Sequence, residues 1–135
     1  MKRLMVNCHQ DFLKRRALAF LESAKSDFKR GSYDLVLFHV EQFVHLYLKH
    51  LLFRKIGDFP KTHSLIHLIR DVMKVYSENL IKNFYEENLE TLYLLEEAYI
   101  TSRYLPRQYD REIAEKILKF SEKILEVLEW LEKHS

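Results

Sequence analysis

The sequence of 135 residues contains only two glycines and two prolines. A β-sandwich or barrel needs a turn about every 8–12 residues, and so few turn-forming residues cannot supply those turns. Gly31 and Gly57 are also too far apart for a glycine-rich nucleotide-binding loop. The sequence therefore predicts an all-α fold, an up-and-down antiparallel bundle of four to five helices, in a single domain over residues 1–135.

The sequence also has little cysteine and no long hydrophobic run. The one cysteine, Cys8, excludes an internal disulfide and is typical of a reducing compartment. No apolar run reaches the ~18 residues of a membrane-spanning helix, and residues 1–10 lack the apolar core and cleavage site of a signal peptide. We therefore expect a cytoplasmic protein with no membrane partner.

The charges nearly balance, with 22 Lys and Arg against 20 Asp and Glu, a formal net charge of +2. A net charge this small does not by itself indicate a nucleic-acid partner. Any binding site must therefore be found in local groups of residues.

Apolar spacing predicts five helices, at about residues 10–30, 33–56, 62–76, 86–102 and 109–133. We expect Gly31 to end the first helix, Ser32 to cap the second and Thr62 to cap the third. A short turn or kink is expected between Ser77 and Asn88. The second helix is apolar on all sides, which predicts burial on more than one side and a seam between two copies of the chain.

The second helix also carries polar residues that need partners in so apolar a segment. His39, His45 and His50 are six and five residues apart, so they do not share one helix face. Gln42, His45 and Lys49 do share a face. This polar track either is hydrogen-bonded between helices or faces a ligand.

Further histidines and arginines are candidates for a site. His63, His67 and Asp71 align at intervals of four, but no further ligand completes a metal shell, so no metal is predicted. Arg103 and Tyr104 lie just before Pro106, where guanidinium and aromatic groups suit phosphate and base contacts. Arginines there are also ordinary surface residues and partners of the helix dipole.

Three segments of the sequence resemble the HEPN domain family. One helix of the family carries a phenylalanine, then a glutamine, and then a lysine seven residues after the glutamine. Residues 38–49 resemble this helix, with Phe38, Gln42 and Lys49 in those places. Residues 60–65 are similar to the loop and Thr-His-x-Leu helix start that follow. Residues 103–106, Arg-Tyr-Leu-Pro, resemble the Arg-Tyr-Pro element with one residue inserted.

The resemblance implies a bundle of four or five antiparallel helices, usually dimeric, with a groove around Arg103. Some members of the family are metal-independent ribonucleases, often toxins, with an Arg-x4–6-His motif. Others lack the motif and are associated with nucleotide binding or with a small nucleotidyltransferase partner. In this chain the motif histidine is replaced by Gln108, Tyr109 or Asp110, so we predict no catalytic residue.

The first hypothesis is a binding module without enzyme activity and without a cofactor. It acts as a homodimer, binds a nucleotide or RNA, and works with a nucleotidyltransferase in a system of the toxin–antitoxin type. Its predicted nucleotide-binding residues are Gln42, His45, Lys49, Arg103 and Tyr104. The alternative is a degenerate metal-independent endoribonuclease that uses Arg103 with His45 or His63, and a third reading is a purely structural interaction partner.

Overall fold

In the computed structural model of the chain, the backbone is described for residues 2–104 and 109–134, and the side chains for residues 12–101 and 109–134. These residues form six helices and no strand, which confirms the all-α bundle. The helices are α1 (Lys2–Arg30), α2 (Tyr33–Ile56), α3 (Leu65–Tyr76), α4 (Asn79–Glu87), α5 (Leu89–Tyr104) and α6 (Arg111–Lys133).

The turn between α1 and α2 consists of Gly31 and Ser32. Gly31 ends α1 as predicted, because its φ of 79° is left-handed and its amide donates to the Phe28 carbonyl at 3.2 Å. The prediction that the Ser32 side chain caps α2 was wrong. With φ of −88° and ψ of 70°, Ser32 is not in the extended conformation of a side-chain cap, and only its carbonyl accepts, from Val36 N at 3.2 Å.

The start of α3 is capped by Ser64 and not by Thr62. Ser64 has an extended backbone conformation and directly precedes the first residue of the helix. Its hydroxyl accepts a hydrogen bond from the His67 amide at 3.1 Å. The Thr62 hydroxyl instead accepts from the Ser64 amide at 3.1 Å and orders the approach to the helix. Both hydroxyls therefore hold the residues around His63 in place.

The turn predicted between Ser77 and Asn88 lies at Ser77 and Glu78, and the residues after it form a helix of their own, which was not predicted. Ser77 ends α3 with a left-handed φ of 52°, and its amide donates to the Met73 carbonyl at 3.0 Å. After this break α4 buries Ile81 and Tyr85, so tertiary packing stabilises a helix of only nine residues. The described residues thus form one helix more than the four to five predicted.

Helix α2 is the centre of the bundle, because α1, α3, α5 and α6 all pack against it. Its fully buried core positions include Val40, Phe43, Val44 and Leu51. The apolar circumference of α2 is therefore covered largely by helices of the same chain. It does not by itself require a second copy, and the homodimer stays a prediction.

Candidate functional site

Each of the three histidines of α2 lies against a different carboxylate. His39 Nδ1 is 2.5 Å from Asp27 on α1, and His45 Nδ1 is 3.3 Å from Glu41 within α2. His50 Nε2 is 3.0 Å from Glu132 on α6. The prediction that the three histidines do not act together is consistent with these separate partners, and each histidine marks its own polar group.

The Glu41 carboxylate is fully buried and holds the first group of site residues. Gln42 donates from Nε2 to Glu41 Oε1 at 2.8 Å, and His45 Nδ1 donates to Glu41 Oε2 at 3.3 Å. A carboxylate on one imidazole nitrogen fixes the ring orientation and leaves the other nitrogen, Nε2, as the one that can meet a ligand. The structure therefore brings two of the predicted site residues together on a carboxylate that the sequence prediction did not include.

Tyr99 of α5 joins this group to the start of α3. Its ring centroid lies 5.9 Å from that of Phe38, 6.4 Å from that of His45 and 6.1 Å from that of His63. Its hydroxyl is 3.4 Å from His63 Nδ1. We call Glu41, Gln42, His45, His63 and Tyr99 the Glu41 cluster.

Sequence reasoning did not predict a site role for Tyr99. Its place one helical turn before Arg103 was the signal that could have linked it to the site, because residues four apart share a helix face.

Lys49, the third residue of the predicted polar track, packs against the loop after α2. It is half-buried, with Nζ 5.3 Å from the ring centroid of Phe59 in the loop after α2. Burial lowers the pKa of Lys49, against the opposing attraction of the Glu41 carboxylate. A lysine that is partly out of water gains from an anionic ligand, since an anion restores the interactions that its ammonium has lost.

The remaining predicted site residues are Arg103 and Tyr104, whose side chains lie outside the described residues. The backbone of α5 is helical through Tyr104, so Arg103 belongs to the last turn of that helix, four residues after Tyr99. The predicted interruption at Pro106 also lies outside the described residues.

A second polar group surrounds Glu132 near the end of α6. Glu132 accepts hydrogen bonds from Tyr47 at 2.6 Å and His50 at 3.0 Å, and it pairs with Lys14 at 3.1 Å. Burial of this carboxyl raises its pKa, but the hydrogen bonds from these three groups outweigh burial and lower the pKa to about 2. We call these four residues the Glu132 cluster.

The same contacts act on Tyr47, whose pKa is raised by burial and by the adjacent Glu132 carboxylate. Nδ1 of His50 is buried and has no hydrogen-bond partner. The Glu132 cluster is thus a closed junction of α1, α2 and α6.

Two other kinds of site were tested against the described part of the chain. His67 pairs with Asp71 at 3.3 Å at the surface, and the described side chains, those of residues 12–101 and 109–134, contain no group of three His, Cys, Asp or Glu that could hold a metal. Among the same residues, none of the helices combines the length and the hydrophobicity that a bilayer crossing requires.

Comparison with known proteins gives the family. The HEPN domain model matches residues 10–132, nearly the whole chain. The chain belongs to the HEPN domain family. The resemblance of the three sequence segments is thereby confirmed, and the protein is a helical module of a family related to nucleotides and RNA.

The HEPN bundle is also similar to a solved structure. That structure is the crystal structure of TT1696 from Thermus thermophilus, with a TM-score of 0.71 and 23% sequence identity. The match covers 90% of this chain and 97% of that chain, and at this identity it shows a shared fold alone. No curated protein matches the chain.

Proposed function

We propose that the Glu41 cluster, with Lys49 and the last turn of α5, binds a nucleotide or a nucleotide of an RNA chain. The observation that carries this proposal is the contact between the exposed ring of His63 and the buried ring of Tyr99, which lies one helical turn before Arg103. An exposed imidazole ring that is packed on a tyrosine and lies near cationic residues suits an unpaired base that stacks while its phosphate is bound.

The cationic groups around the cluster suit the phosphate. Arg103 offers a planar guanidinium that binds phosphate through two parallel hydrogen bonds, and Lys49 offers a partly desolvated ammonium. His63 is exposed and lies two residues before the first residue of α3, where the helix dipole favours an anion. In this arrangement Tyr104 stacks the base, and Gln42 and His45 contact its polar edge.

We further propose that the protein acts without enzymatic chemistry as a homodimer, with a nucleotidyltransferase partner, in a system of the toxin–antitoxin type. The support is the family membership together with the missing motif histidine, since Gln108, Tyr109 and Asp110 occupy its place. A glutamine cannot transfer a proton as an imidazole does. Copurification of a nucleotidyltransferase with the protein from its native cells tests the partner directly, and its absence from such preparations would contradict this part of the proposal.

Calorimetric titration with AMP, ADP and ATP tests the binding site. We expect Arg103→Ala to lower the nucleotide affinity by about tenfold or more, because the variant loses one charge-assisted hydrogen-bonding group. Lys116→Ala on α6 is the control, because it removes an equal charge from an exposed position. If Arg103→Ala leaves both nucleotide affinity and partner binding unchanged, the proposed site is wrong.

One observation favours a second function, a metal-independent endoribonuclease. Glu41 orients His45 through Nδ1, which is how a carboxylate prepares a general base. The test is incubation of the purified protein with RNA in excess chelator. Cleavage abolished by His45→Ala and retained by His67→Ala would establish the enzyme, whereas no cleavage by the wild-type protein would leave the binding module.

A further inference from the structure

The positive charge of the chain is concentrated on one helix. Helix α1 contains eight Lys and Arg against three Asp and Glu, whereas the rest of the chain contains 14 against 17. The net charge of the whole chain is therefore small because a basic helix is combined with an acidic remainder of the chain. A basic helix face is the electrostatic footprint of a polyanion-binding protein.

A surface groove of about 490 Å³ lies on this helix, lined by Phe12, Arg15, Arg16, Ala19, Phe20 and Ser23. The Phe12 side chain is 48% exposed. The guanidinium carbon of Arg16 lies 5.3 Å from the Phe12 ring centroid. An exposed ring with an arginine over it offers stacking and phosphate contacts in the same place.

Aromatic side chains connect this groove to the Glu41 cluster. Phe20 stacks on His39 at 5.6 Å, His39 meets Phe38 at 5.4 Å, and Phe38 stacks on Tyr99 at 5.9 Å. Phe20, His39 and Phe38 are half-buried, so parts of their rings face the solvent. We call Phe20, His39 and Phe38 the aromatic band.

Two acidic groups near the band, Asp27 and Glu22, are already paired. The Asp27 carboxylate lies between His39 and Arg30, both of which contact it. Glu22 pairs with Lys25 at 3.4 Å. These cationic partners reduce the repulsion between the two carboxylates and a negatively charged chain that follows the band.

We propose that the groove on α1 binds a stretch of single-stranded RNA whose next nucleotides continue along the aromatic band to the Glu41 cluster. This inference rests on the proposed function, and it makes the ligand a polynucleotide instead of a free mononucleotide. Unpaired bases can stack on Phe12 and on the band, and Arg15 and Arg16 contact the phosphates. A symmetric contact with a second copy through α1 is disfavoured, because it places two basic helices against each other.

Fluorescence anisotropy with a labelled 12-nucleotide single-stranded RNA tests the groove. We expect Arg15→Ala with Arg16→Ala to weaken RNA binding about tenfold and to reduce its salt dependence, and Phe12→Ala to weaken it about fivefold. AMP affinity should stay within twofold of wild type in both variants. The control, Lys116→Ala with Lys123→Ala, removes the same charge from exposed positions on α6, away from the groove, and it should change RNA binding by less than threefold.

Duplex RNA of the same sequence provides a second readout. Its paired bases are not available for stacking, so the duplex should bind more weakly than the single strand. The inference is overturned if the 12-nucleotide RNA binds no more tightly than AMP, if both double variants weaken it equally, or if the groove variants change only the oligomeric state in sedimentation. An Arg103-dependent affinity for AMP that persists in those cases leaves the proposed function standing. If the groove variants lose RNA binding but the wild-type protein does not bind AMP, the result contradicts the proposed function and not the groove.

Discussion

The Glu41 and Glu132 clusters contain similar chemical groups on opposite sides of α2, yet they use them differently. Glu132 lies on α6 and accepts from Tyr47 and His50 of α2 and from Lys14 of α1. Glu41 accepts from Gln42 and His45 of its own helix. One carboxylate ties three helices together, and the other fixes the orientation of side chains on a single helix.

The difference distinguishes a stabilising site from the proposed binding site. Hydrogen bonds between helices are broken on unfolding and contribute to the free energy of folding. Hydrogen bonds between neighbours on one helix hold side chains in a geometry that a ligand can use. The Glu41 cluster also reaches the exposed His63, whereas the Glu132 side chain is largely enclosed.

The largest effect should come from Glu132→Ala. The change leaves the Tyr47 hydroxyl and His50 without their acceptor, so we expect a loss of about 3 kcal/mol in the free energy of unfolding. Urea denaturation followed by circular dichroism measures it. Glu129→Ala, an exposed position on the same helix, should stay within about 0.5 kcal/mol of wild type. Equal losses in the two variants would remove the distinction between the clusters.

The pH dependence of stability should follow the same carboxylate. The pKa of Glu132 is lowered from 4.5 to about 2 in the folded chain, so its contribution is complete above about pH 4.5 and is lost as the pH falls towards 2. The urea midpoints of wild type and Glu132→Gln should therefore converge between pH 5 and pH 2. A difference that stays constant over this range would contradict the role of the ionised carboxylate.

Glu41→Gln should have a smaller effect on stability and a larger one on binding. The amide keeps the shape of the buried side chain and can still pair with Gln42, so we expect a loss of about 1 kcal/mol. His45 loses its charged partner, and nucleotide affinity should fall severalfold in calorimetric titration. Glu90→Gln on the surface of α5 is the control. A loss of stability as large as that of Glu132→Ala, with affinity unchanged, would make the Glu41 cluster structural.

The smallest change in stability should come from His63→Ala, because His63 is exposed. The free energy of unfolding should stay within about 0.5 kcal/mol of wild type. Nucleotide affinity should fall about threefold, since the ring next to Tyr99 is removed. His67→Ala, one turn along α3, serves as the control, and an equal effect of the two variants on affinity would exclude His63 from the site.

Much of the fold follows from the sequence because its signals are local. Gly31 ends α1 where the left-handed conformation is needed, and the apolar spacing of 109–133 predicts α6 closely. The predictions for Ser32 and Thr62 failed because a side-chain cap depends on one pair of backbone angles and on the exact first residue of the helix. Helix α4 was missed because the burial of Ile81 and Tyr85, and not local propensity, stabilises it.

The site was harder to predict than the fold. Spacing on α2 correctly grouped Gln42 with His45, but nothing local indicates that both bind Glu41 or that Lys49 lies over Phe59. The contact of Tyr99 with His63 joins residues 36 apart in the chain. Such pairings depend on how the helices pack, which single-sequence periodicity does not specify.

A local turn and a long-range contact of this bundle are also expected to form at different stages of folding. The turn of Gly31 and Ser32 joins α1 to α2 at little cost in loop-closure entropy, so we expect this hairpin to form early in folding. The bond from Tyr47 to Glu132 joins residues 85 apart and depends on the last turn of α6. Contacts made after the transition state slow unfolding and leave the folding rate unchanged. We therefore expect changes in the Glu132 cluster to affect mainly the unfolding rate, and changes in the two-residue turn to affect mainly the folding rate.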